Sequence, residues 1–184
     1  MPDDAPAPAP VPSRVPTPGG TLICELDLND AVTAAAVHEA GRRAYAVEAD
    51  IIGFTGIPAL RESRQDMQAR PLRWLGALTD DGRPAAFVAW QTRSDTDPQV
   101  TWIERVCVDP DFFRRGLATR LLNHLLTNVI DGGEVRVSTG AANRPATALY
   151  TGLGFHRAAD FEPEPGLRMA EFVLHLAPDR HAHG

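Results

Sequence analysis

A chain of 184 residues, 43% hydrophobic and 23% charged, is long enough to bury a sizeable core, and its balance is that of an ordinary globular protein. The net charge of −6 argues against nucleic-acid or anionic-membrane partners, and no run approaches the roughly 18 apolar residues of a membrane span. Cys24 and Cys107 make no Cys-x-x-Cys or Cys/His metal spacing, and all 18 basic residues are arginines, which excludes a Walker or Schiff-base lysine.

In chain order, residues 1–20 are proline-rich and alternate Ala-Pro from Ala5 to Pro10. Proline fixes φ and removes a donor, so this stretch reads as an extended, poorly ordered arm ahead of a domain at 21–177. Thr21 to Leu26 alternates as a strand. Asn29 or Asp30 can cap a helix that runs to about Ala49. Two glycines and a proline between Ile51 and Pro58 break the pattern before a second helix around Leu60 to Ala69. Leu72 to Leu78 and Ala85 to Thr92 read as strands joined by a hairpin-like turn over 80–84, with Ser94 to Pro98 a further polar turn.

Val100 to Val108 is the next strand, ended by Asp109-Pro110-Asp111. Beyond it, Leu117, Leu121, Leu122, Leu125 and Val129 give a helical stripe that Asp131-Gly132-Gly133 terminates. Glu134 to Ser138 is a strand and Asn143 to Gly152 a short helix. Phe155 to Ala158 and Arg168 to Leu176 complete the sheet, with 161–166 a proline-stiffened loop between them. Residues 178–184, which include His181 and His183, read as a tail rather than a metal site. The N-terminus carries no basic-then-apolar signal pattern, so free thiols in a reducing cytoplasm are expected.

The stretch from Ile103 to Leu126 carries the chemistry. A strand, a turn through Arg114-Arg115-Gly116 and a helix make an anion cradle. The first helical N–H groups lack internal partners, the macrodipole adds about half a positive charge, and two arginines add more. An ordinary strand–helix connection with two solvated arginines is the plainer alternative. Neither G-x-x-x-x-G-K-[ST] nor G-x-G-x-x-G occurs, so the cradle is neither a P-loop nor a dinucleotide fingerprint.

Val106 to Pro110 followed by Arg114-Arg115-Gly116-Leu117-Ala118 resembles the acyl-CoA loop [Q/R]-x-x-G-x-[G/A] of the GNAT N-acetyltransferases. Asn143, Ala146, Leu149-Tyr150 and Leu153-Gly154-Phe155 resemble that family's second segment, N-x-x-A-x-x-L-Y-x-x-L-G-F. Phe113 departs from the usual Gln or Arg at the first loop position. The resemblance, over residues 21–176, implies an α/β (α+β) fold: a twisted, mostly antiparallel mixed sheet of six to seven strands with helices on both faces. It also implies acetyl-CoA as acyl donor, no metal, and a primary amine as acceptor. A small-molecule amine is expected first, a peptide or protein amine second, and a non-catalytic acyl-CoA-binding module is the alternative from another class. A homodimer is compatible with this.

By that resemblance, Val106, Cys107, Val108, Arg114, Arg115, Gly116, Leu117, Ala118, Thr119, Asn143 and Tyr150 hold the CoA. The segment after the first helix overlies the acceptor, which makes Tyr45, Phe54 and Ile57 wall candidates; plain core packing explains each of them equally well. An alkylammonium of pKa near 10.4 is only about 0.04% neutral at pH 7, a penalty of roughly 4–5 kcal/mol that a base relieves in part. Glu104 is the candidate base. It stands in an apolar strand, and pleating would place it on the face of Val106 and Val108; a structural ion pair with Arg136 is the competing role. Some relatives that act on protein N-termini carry a Glu in the following strand, where this chain has Ser138. Tyr150 matches the family's tyrosine near the CoA sulfur, as acid or hydrogen-bond donor. Cys107 should point away from Val106 and Val108, and reads as a core cysteine rather than a nucleophile.

Overall fold

The computed structural model describes residues 15–17, 20–93, 95 and 99–177. Its centre is one mixed sheet of eight strands in the order β1-β2-β3-β4-β5-β6-β8-β7. These are β1 (Val15–Thr17), β2 (Thr21–Glu25), β3 (Arg73–Thr79), β4 (Pro84–Arg93), β5 (Val100–Val108), β6 (Gly133–Gly140), β7 (His156–Glu164) and β8 (Leu167–Leu176). Four helices accompany them: α1 (Ala31–Ile52), α2 (Arg64–Ala69), α3 (Leu117–Asn128) and α4 (Arg144–Gly152).

The eighth strand is β1, so the supposed arm is not wholly separate from the sheet: Val15, Pro16 and Thr17 pair with Ile23, Leu22 and Thr21. Residues 1–14, 18 and 19 of that arm, most of the Ser94–Pro98 turn and the 178–184 tail lie outside the described residues. A second correction concerns 161–166. This stretch is not a free loop but the end of β7 and its turn into β8, with register shifts around Arg157 and Phe161. Pro163 is tolerated there because β7 is an edge strand, where a missing N–H costs no ladder bond.

Asp30, rather than Asn29, caps α1; its carboxylate accepts from the Thr33 N–H at 2.8 Å. The helix continues past Ala49 to Ile52 and ends on Gly53 in the left-handed conformation. Gly140 permits this extension, since a Cβ there would sit 2.6 Å from Ile52 Cγ2. The second helix begins later than the pattern suggests. A 3₁₀ turn occupies Pro58–Leu60, and Ser63 opens α2 through a capping box with Asp66.

Two apolar layers sandwich the sheet. On one face Trp90, Ile103, Val135, Val137 and Phe172 pack under α3 and α4; on the other Phe87, Ala89, Trp74 and Cys107 pack under α1 and Met67 of α2. The all-buried run from Pro84 to Trp90 reflects a strand covered on both sides.

One charged network crosses the second layer. Arg105 of β5 meets Glu62 at 2.6 Å, with side-chain exposures of 8% and 7%, and Arg70 meets the other Glu62 oxygen at 2.5 Å. Arg105 also lies over the Trp74 ring, 5.6 Å from its centroid. This pair ties the segment after α1 to the middle of the sheet. Glu62→Ala leaves Arg105 buried without its partner and should lower the unfolding free energy in urea by about 3 kcal/mol, with little change in slope.

Candidate active site where two strands part

β5 and β6 run parallel and pair only from Val100–Glu134 to Ile103–Val137. Both strands continue, but they separate. At the same point the β4–β5 register slips, so that Ala89 faces Arg105 while Trp90 faces Ile103, leaving Glu104 as an extra residue. Such a bulge bends and twists its strand, and here it turns β5 away from β6. Residues 104–108 have no strand partner on the β6 side, and the gap opens a cleft of about 520 Å³ through the sheet.

At one end of the cleft is the β5–α3 turn. Arg114 and Gly116 both adopt left-handed φ, 62° and 68°. Gly116 caps α3 with no side-chain hydrogen bond, so the first N–H groups of that helix stay open. The turn is anchored from behind: Arg43 of α1 bonds Asp109 at 3.2 Å and Asp111 at 2.9 Å, and Asp109 Oδ1 accepts from the Asp111 N–H. Arg115 lies over the Phe112 ring at 5.0 Å. Leu117, Ala118, Thr119, Phe113 and both arginines line this end. Uncapped amides, a helix N-terminus and two guanidinium groups suit a phosphate-bearing ligand.

At the other end are Tyr150, Asn143, Tyr45 and Glu48. Tyr150 is 4% exposed and packs against Phe155 and Phe172, with ring centroids 5.8 and 5.5 Å away. Burial raises its phenol pKa, and the charge of Glu48 and then Cys107 add to that shift. Asn143 Oδ1 caps α4 by accepting from the Ala146 N–H at 3.2 Å. Its Nδ2 donates to Glu48 at 3.3 Å and to Thr139 at 3.2 Å, so the protein itself uses both ends of the amide. Tyr45 is pushed well above the ordinary phenol value, first by burial and then by Cys107. Burial also carries the Cys107 thiol up to about 12. Cys107 belongs to the core under α1, opposite the face of Val106 and Val108.

The bulge corrects the expected placement of Glu104. Ile103 shares the face of Val106 and Val108, because the extra residue interrupts the alternation. Glu104 instead accepts from Gln91 Nε2 at 2.8 Å and lines a neighbouring groove of about 640 Å³ with Gln91, Arg93, Trp102, Ser138 and Met169. The alternative partner, Arg136, is occupied by Glu134 and Glu171 and lies over Trp102. Of the wall candidates, Tyr45 lines the cleft, Phe54 lines a separate hollow of about 340 Å³ beside Ile52 and Arg168, and Ile57 is 9% exposed and lines neither.

Sequence reading missed Glu48. The signal was present: Ala34, Val37, Gly41 and Ala44 make a helical stripe whose next member is Glu48, a carboxylate on the sheet-facing side. Among the described residues no group of three or more His, Cys, Asp or Glu side chains could hold a metal, and no helix is long and apolar enough to cross a membrane.

Comparison with known proteins is consistent with this arrangement. The sequence pattern of the acetyltransferase (GNAT) family matches residues 51–155. The UPF0157 protein YqkA of Bacillus subtilis is 35% identical over 137 residues, covering 74% of this chain but only 38% of that protein. The [ribosomal protein bS18]-alanine N-acetyltransferase of Salmonella typhimurium is 35% identical over 122 residues, 59% of this chain and 80% of its own. A GNAT superfamily phosphinothricin acetyltransferase from Sinorhizobium meliloti, solved in complex with AcCoA, superposes with a TM-score of 0.64 at 14% identity, over 89% of this chain and 96% of that one.

The raised thiol has a direct consequence. At pH 8 only about one Cys107 in ten thousand carries a thiolate. Ellman's reagent should therefore leave Cys107 unmodified in the native protein and react with it once urea unfolds the chain; rapid native labelling at Cys107 would contradict the burial.

Proposed function

Because the chain belongs to the GNAT acetyltransferase family, we propose that it moves the acetyl group of acetyl-CoA directly to a primary amine carried at the end of a peptide or protein. The cradle that carries this reading is the uncapped α3 N-terminus beside Arg114 and Arg115 at the mouth of a cleft between two parted strands. There the amides of Gly116, Leu117, Ala118 and Thr119 would hold the diphosphate. The unpaired backbone edge at Val106 to Val108 would take the pantetheine amides as an added strand, and Tyr150 stands at the thioester end.

In the transfer, the neutral amine forms a C–N bond to the acetyl carbon while the C–S bond breaks. The ammonium first gives one proton to a base; the neutral amine so formed loses one more on attack, and that proton ends on the departing thiolate as the CoA thiol, leaving one N–H on the amide. Glu104 is the base in this reading. Its carboxylate faces the open groove beside the parting strands and accepts a hydrogen bond from Gln91. Tyr150 stays a neutral phenol at every working pH, since its pKa is raised and not lowered. Giving its proton up entirely to a thiolate is thus unfavourable, and its role is to donate a hydrogen bond to the departing sulfur.

The groove favours a peptide over the compact small-molecule amine that sequence alone suggested. It is lined by side chains from β4, β5, β6 and β8, four adjacent strands, and so measures roughly 14 Å across. A small metabolite would remain largely wet there, whereas several residues of chain could lie along it with only the terminal amine entering the cleft. The Salmonella relative, named for an alanine of a ribosomal protein, supports the same choice.

The direct test is CoA release with a peptide that begins with alanine and with a panel of small amines. The peptide should give the higher kcat/KM; the reverse order returns the acceptor to small molecules, and no release with any amine ends the transferase reading. Glu104→Gln should lower kcat about a hundredfold at saturating peptide; an unchanged kcat would remove Glu104 as the base. Tyr150→Phe should lower kcat roughly a hundredfold while leaving CoA affinity within a few fold; a larger loss in affinity than in rate would make Tyr150 a binding residue only.

A further inference from the structure

Among the described residues Glu48 is the one acidic side chain lining the cleft, and it forms no ion pair. Its Oε1 accepts both of its hydrogen bonds, from Thr139 Oγ1 at 3.2 Å and Asn143 Nδ2 at 3.3 Å, while Oε2 accepts none among the described residues. The wall of the cleft is mainly apolar, with Val47, Ile51, Val106, Leu149 and Tyr150 among the residues that line it. A carboxylate in such a place is costly unless it meets a cation or water. The nearby arginines are committed elsewhere, Arg105 to Glu62 and Arg43 to Asp109 and Asp111.

The placement of charge is directional. Arg43 is tied to the cradle turn, and Glu48 follows it five residues later on α1, about 7.5 Å further along the axis. The cleft is thus cationic where the phosphates would enter and anionic where Tyr150 stands. That layout fits a donor with an anionic tail meeting an acceptor with a cationic head.

We propose that Glu48 is the specificity-determining residue for the acceptor: its free Oε2 receives the ammonium of the incoming amine and holds it at the acyl end of the cleft until Glu104 takes the proton. This rests on the reading of the cleft and groove as donor and acceptor sites. Glu48 thereby selects primary ammonium groups over neutral heads of the same shape, by supplying an opposite charge that the apolar wall does not screen.

Glu48→Gln separates this role from scaffolding, because the amide oxygen still accepts from Thr139 and Asn143 while the charge is gone. Calorimetry on the CoA-saturated protein would compare an alanine-initiated hexapeptide with its des-amino analogue, in which hydrogen replaces the terminal amino group. The variant should bind the amino peptide roughly tenfold more weakly, with KM rising to match, and bind the des-amino peptide as the parent protein does. CoA affinity and Tm should not move, and Glu48→Asp should recover part of the loss. Equal amino-peptide affinity in Glu48→Gln and parent, or an equal loss for both peptides, would overturn the proposal. Charge-dependent peptide binding by a protein that releases no CoA would sink the transferase reading and leave the role of Glu48 standing.

Discussion

The separation of β5 from β6 is the constraint on which every other feature of the site depends. A parallel pair held along its whole length would close the sheet and bury the backbone of Val106 to Val108 in a ladder. One inserted residue at Glu104 prevents that. The bulge bends β5, leaves its edge groups without a strand partner, and turns a carboxylate out of the packed face into a groove. Backbone groups unpaired in this way are costly unless water or a ligand meets them, and so the parted strands offer a ligand's amides a place to pair.

Holding such a gap open requires supports on both sides. Beneath α1, Arg105 and Glu62 lock the segment after the helix to β5, and Arg43 locks the helix to the turn that follows β5. Beyond the gap, Asn143 joins β6, α4 and α1 in one set of hydrogen bonds through Thr139 and Glu48. Two of these ties use charges at buried or half-buried positions, which contribute little net stability but make alternative packings expensive. The cleft is therefore defined by polar links set into an otherwise apolar core, and the hydrophobic layers on the two faces of the sheet supply the stability that keeps them in place.

Burial sets the protonation state of three side chains around the cleft. Tyr45, Tyr150 and Cys107 are all pushed toward their neutral forms by burial, so they act as hydrogen-bonding or packing groups at ordinary pH. The two carboxylates near the parting point differ in the elements that carry them. Glu104 comes from the bulged strand and opens on the groove, whereas Glu48 reaches the cleft from a helix packed on the opposite side of the gap from α4. Acceptor binding and proton removal can accordingly fall to separate residues on separate elements.

The sequence by itself determined the order of the strands from Thr21 onward and of the helices, the strand–turn–helix through Arg114 to Thr119, and the helix from Asn143 that carries Tyr150. These are local properties, set by hydrophobic period, proline and glycine placement, and short fixed spacings between neighbours in the chain. Only the tertiary structure decided where Glu104 points, that residues 156–164 form an edge strand, and that Glu48 lines the cleft. A bulge is a mismatch between two strands and cannot be read from one of them. Pro163 discourages a strand in isolation and is accepted only because nothing pairs on its outer side. Glu48 stands 91 residues from Thr139 and 95 from Asn143, so the contacts that give it a role exist only once α1 lies across β6.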